Sequence, residues 1–139
     1  MSLLADLYLS QNDQEALQYN ERAESFVDRL QFTSLTELDL STLWASLRNE
    51  QWDVSSLDQF TCVFQLPGGE KCIHRLPKAM VVDLAGLDSQ KISIAASKWA
   101  ATDEMACEPD DVRPIIEGLV GLAIKASQTE KEIYLWNCL

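Results

Sequence analysis

Apolar positions recur along this chain in two periods, and they divide it into elements. Leu3-Leu4-Ala5-Asp6-Leu7-Tyr8-Leu9 predicts a short strand, apolar on both faces after Asp6. Gln11 to Ala23 is polar and predicts a loop or a weak helix. Ser25 to Leu38 carries apolar residues without one clean period and predicts irregular structure. From Leu38 to Asn49 the pattern sharpens. Leu40, Leu43, Trp44 and Leu47 form an i, i+3, i+4, i+7 stripe, with Asp39 as the expected N-cap and Leu38 and Leu43 at staple spacing.

Phe60–Leu66 and Lys71–Leu76 are rich in strand formers and flank Pro67-Gly68-Gly69-Glu70, which predicts a β-hairpin. A turn centred on the two glycines sets Cys62 opposite Arg75, Val63 opposite His74, Phe64 opposite Ile73 and Gln65 opposite Cys72. Pro77 opens a helix with Leu76, Met80, Leu84 and Leu87 on one face. Asp88 caps the next, which turns Ile92, Ala95, Ala96 and Trp99 inward and fades by Thr102. Ala106 to Pro114 reads as an acidic connector. The helix after it carries Ile115, Ile116, Leu119, Leu122, Ala123 and Ala126 inward, with Asp111 as its expected cap. Gly118 and Gly121 weaken that helix and mark close packing against another element. Glu132 to Cys138 predicts a terminal strand. Strands and helices are segregated, which implies a single α+β domain over 1–139. Its small antiparallel or mixed sheet is built from the terminal strands and the central hairpin, and packs against three to four helices.

Charge narrows the functional classes more than any motif. Twenty-two acidic residues against eleven basic ones and one histidine give a net charge of −11. Such a surface repels nucleic-acid phosphates and anionic membranes, and it favours a basic protein as partner. No apolar run approaches the roughly 20 residues that span a bilayer, and the start of the chain lacks a secretory pattern. The four cysteines, Cys62, Cys72, Cys107 and Cys138, form no CxxC pair, so reduced thiols in the cytoplasm are expected.

Candidate chemistry concentrates in the hairpin. Cys72 and His74 share a strand face, but Cys72 as nucleophile with His74 as base would have to bridge roughly 7 Å of strand rise. A Cys-x-His pair alone also falls short of four zinc ligands, so neither a metal nor a cofactor is expected. On the predicted register Cys62 and Cys72 lie on opposite faces, which opposes a disulfide between them unless a bulge shifts one strand. No phosphate loop or nucleophile elbow appears. Asp103, Glu104, Asp110 and Asp111 flank a helix entrance, where acids are ordinarily solvated caps. Trp44 and Trp99 fall on apolar helix faces and belong to the core. Trp52 lies in a polar segment, where an exposed indole would anchor an interface.

Three stretches resemble the YfbM-like family of bacterial proteins of unknown function. They are Leu38-Asp39-Leu40-Ser41-Thr42-Leu43-Trp44-Ala45-Ser46-Leu47, then His74 to Ala85, and Gly121 to Ala126 followed by Ile133-Tyr134-Leu135. The Trp44 helix lacks the histidine and the following glycine-bearing segment of that family. The resemblance implies an α+β fold and a bacterial origin, with no catalytic residues to carry over. The expectation is a non-enzymatic binding module of the immunity or inhibitor kind, using Trp52, Asp103, Glu104, Asp110 and Asp111 against a basic partner. The alternative is a small-molecule enzyme with His74, Cys72 and nearby carboxylates in a cleft. A third reading is a homo-oligomer in which the terminal strand pairs across subunits.

Overall fold

The computed structural model describes residues 3–139. The elements run β1 (Leu4–Ser10), α1 (Asp13–Ala16), α2 (Tyr19–Arg22), β2 (Arg29–Thr33), α3 (Glu37–Leu47), β3 (Thr61–Gln65), β4 (Lys71–Arg75), α4 (Lys78–Ala85), α5 (Ser89–Ala100), α6 (Pro109–Thr129) and β5 (Glu132–Cys138). Short 3-10 turns occupy Ala23–Ser25 and Val54–Gln59. All strand pairs are antiparallel, and the five strands lie in the order β2-β1-β5-β4-β3. The α+β class holds, with the terminal strands and the hairpin in one sheet.

The alternation of strand side chains divides the fold into layers. Ala5, Leu7 and Leu9 of β1, with Ile133 and Leu135 of β5, face α3 to α6 and join Leu40, Leu43, Met80, Trp99 and Leu119 in the main core. Tyr8, Ile73 and Tyr134 face the other way, under Ala16, Tyr19 and Phe26. The segment from Asp13 to Phe26 is thus a thin third layer. It explains why β1 is apolar on both faces: every residue from Ala5 to Ser10 is buried.

Several sequence expectations are corrected. β2 falls where irregular structure was expected. Its Leu30 and Phe32 alternate toward the main core, but five residues at a sheet edge give too short a period to stand out. The cap of α3 is Thr36, three residues earlier than expected. Its hydroxyl accepts the Asp39 N–H, and the Asp39 carboxylate accepts the Thr36 N–H at 2.9 Å, closing a capping box. Helix α6 likewise begins at Pro109 behind a Glu108–Asp111 capping box, so Pro114 lies inside the helix. The proline removes one backbone hydrogen bond there. Gly118 does mark close packing, since a Cβ there would stand 3.3 Å from Leu30 Cδ1, whereas Gly121 has open space around it.

In the hairpin Gly68 and Gly69 take φ of 92° and 75°, as the turn requires. Phe64 opposes Ile73 and Gln65 opposes Cys72 as expected. A bulge then shifts the register, so that Cys62 faces His74 and Thr61 faces Arg75. This is the shift that brings Cys62 onto the face that Cys72 and His74 share. Strand β5 lies between β1 and β4 with both edges paired, so it cannot pair across subunits. The open edges belong to β2 and β3.

Candidate functional site

The hairpin histidine points from β4 toward the start of α3. His74 is mostly buried, and its Nδ1 lies 3.9 Å from Glu37 Oε2, without a hydrogen-bond partner. Cys72, two residues away, is half-buried. Burial, the Glu37 carboxylate and the neighbouring Cys62 all push its thiol above the ordinary range, which disfavours a reactive thiolate. Among the described residues no group of three His, Cys, Asp or Glu side chains is placed to hold a metal ion. All four cysteines are free thiols.

The acids expected to face a partner sit between α5 and α6. Asp103 and Glu104 are exposed in the turn after α5, and Asp110 and Asp111 are exposed in the first turn of α6. They do not stand alone. The Asp39 carboxyl is raised above its usual range, first by burial, against the lowering effect of the Thr36 hydrogen bonds, and then by the negative charges of Glu104 and Glu37. Of the four acids, Glu104 is thereby placed near the first turn of α3, where Glu37 and Asp39 lie. Trp52 is half-buried and not the open indole that the sequence allowed. Its indole N–H donates to Ser41 Oγ at 2.9 Å, which seats the half-buried ring on α3.

Sequence reasoning missed the polar chemistry on the sheet face beneath α1 and α2. Asp13, held in α1 by the Asn12 cap, accepts from Arg75 at 2.7 and 2.8 Å and from the Tyr134 hydroxyl at 2.6 Å. Burial pushes the Asp13 carboxyl up, but the Tyr134 and Arg75 hydrogen bonds and the guanidinium charge outweigh it and hold the carboxyl below its usual range. Arg75 also donates to Thr61, and Glu132 lies 3.8 Å away. Next to this clamp Tyr8 stacks on Tyr19 at 4.1 Å and donates to the Ala16 carbonyl. The Tyr19 hydroxyl donates to Asp6 at 2.5 Å. Desolvation raises all three phenols, so they stay protonated donors. Each donor here ends on a protein acceptor, and the arrangement fixes the thin layer to the sheet.

Comparisons with protein-family models, with curated proteins and with solved structures returned no match. The likeness to the YfbM-like family therefore rests on the three sequence stretches. No helix among the described residues is long and apolar enough to cross a membrane.

Proposed function

We propose that this protein is a non-enzymatic binding module for a basic protein partner, of the immunity or inhibitor kind, docking through the end that carries Asp103, Glu104, Asp110 and Asp111. The reading is supported by the exposure of Asp103, Glu104, Asp110 and Asp111 around the α5–α6 connection, with Glu104 close enough to Asp39 of α3 to act on its charge. A net charge of −11 adds long-range attraction for a cationic surface, which speeds encounter and fixes orientation. The reading includes a bacterial cytosol, where four free thiols are at home.

The test compares the wild type with the D103N/E104Q/D110N/D111N variant in capture from bacterial lysate, followed by association kinetics with any captured protein. A basic partner should associate roughly tenfold or more slowly with the variant, and its on-rate should fall steeply with salt. Equal capture by both forms, with an on-rate indifferent to salt, would sink the reading. The enzymatic alternative has one observation behind it, the unpartnered His74 Nδ1 next to Glu37. It requires that His74→Asn abolish a small-molecule activity while the fold stays intact.

A further inference from the structure

Among the described residues Asp6 is the one buried acidic residue, at 6% exposure, and no Lys or Arg among them lies within 4.0 Å of it. A buried charge normally has a cation or several donors, because leaving water is costly for it. Asp6 Oδ2 accepts the Tyr19 hydroxyl at 2.5 Å and, more weakly, the Gln31 amide at 3.5 Å. Its Oδ1 accepts no hydrogen bond from the described residues and is reached by solvent. The Arg29 guanidinium lies near the Tyr19 hydroxyl but makes no ion pair with Asp6 within 4.0 Å.

The carboxylate opens onto a surface hollow of about 640 Å³, lined among others by Leu4, Asp6, Ala23, Gln31, Thr33 and Trp136. Strand register explains the assembly, since Asp6 sits directly opposite Trp136 on β5 and Gln31 on β2. The Trp136 ring is fixed before any ligand arrives: its N–H donates to Asn20 at 2.9 Å and Tyr19 lies 5.6 Å from it. A preset aromatic face, an apolar rim at Leu4 and Ala23, and a buried anion with one free oxygen form a recognisable combination. It is the set of groups that takes an organic cation with an alkyl stem.

We propose that this hollow is a binding site for an alkylammonium group, seated with its nitrogen on Asp6 Oδ1 and its stem against Trp136. The group can come from a free amine or from a lysine side chain, and none of the four docking carboxylates lines the hollow, although Ile115 of α6 does. The experiment is an NMR titration of the labelled full chain with cadaverine and, separately, with α-N-acetyl-lysine amide, each against sodium chloride at matched ionic strength. Saturable shifts of the Trp136 indole N–H and of the amides around Asp6 and Gln31 are expected. Saturation with cadaverine alone assigns the site to free amines, and saturation with both admits a lysine side chain. Asp6→Asn should weaken binding roughly tenfold or more. Since Asp6→Asn also alters the Tyr19 contact, Leu4→Lys serves as the second variant. Leu4 is 45% exposed, so the fold tolerates the change, and the tethered ammonium should block the hollow. No saturable shift with either amine, or full binding retained in both variants, overturns the proposal. The D103N/E104Q/D110N/D111N variant should bind both amines like the wild type, so failure here leaves the docking test standing and the reverse.

Discussion

Asp13 and Asp39 carry opposite pKa shifts, and the two give opposite pH dependences. Asp13 binds its proton more weakly when folded than when unfolded, so its contribution is complete above the unfolded carboxyl pKa and is lost as the pH falls through the folded value. Urea unfolding below about pH 4 should therefore show a falling stability that Asp13→Asn flattens. At neutral pH the same substitution should cost only about 1 kcal/mol, because the side chain is 44% exposed and solvent screens the pair. Asp39 behaves in the reverse sense, since its raised folded pKa makes ionisation costly above that value. Removing one of the crowding charges, by Glu104→Gln, should raise the melting temperature at neutral pH. The gain should vanish under acid, where Asp39 is protonated. A melting temperature unchanged or lowered at neutral pH would mean that Glu104 does not act on Asp39. None of this could be read from the sequence. Asp13 is 62 residues from Arg75 and 121 from Tyr134, and only the β1–β5–β4 pairing brings them together.

At the scale of elements the helices were the most legible part, because a 3.6-residue stripe survives over three turns. α5 matches its expected cap, with Asp88 accepting the Lys91 N–H at 2.8 Å. Caps chosen from one good residue were less secure: Asp39 and Asp111 are partners in capping boxes, each three residues past the true cap. The indole nitrogens do part of the joining between helices. Trp44 donates to Asp83 of α4, and Trp99 of α5 donates to the Asp39 carbonyl and the Thr42 hydroxyl of α3. Trp99 is fully buried. Trp99→Phe should therefore cost about 1 kcal/mol in chemical denaturation, the worth of the lost indole hydrogen bond, since the Thr42 hydroxyl still donates to the Asp39 carbonyl. The glycines of α6 give a sharper comparison. Gly121→Ala should stabilise by up to about 1 kcal/mol, from helix propensity in open space. Gly118→Ala should stabilise less or not at all, since Leu30 must move to admit the methyl. Equal gains at both sites would show that β2 does not press on the helix as described.

For the whole molecule, the sequence conveyed the class and four of the sheet's five strands but not their order. The hairpin faces followed from alternation until the bulge beyond Phe64, which no residue between Thr61 and Phe64 advertises. β2 went unseen, and with it the hollow beside Asp6, because that site exists only where β2, β1 and β5 lie side by side. Charge was visible at once as a total, whereas its concentration around Asp39 needed the packing of α3 against α5.

The centre of the sheet joins β1 to β5, and nearly all of the chain lies between them. Vectorial synthesis has a consequence here. When the hairpin leaves the ribosome, its inner edge and that of β1 have no neighbour, because the strand that belongs between them has yet to be made. The nascent chain must shelter two adhesive borders until translation passes Cys138, so a stall shortly before that point should yield aggregation-prone or chaperone-bound intermediates in place of a partial native core.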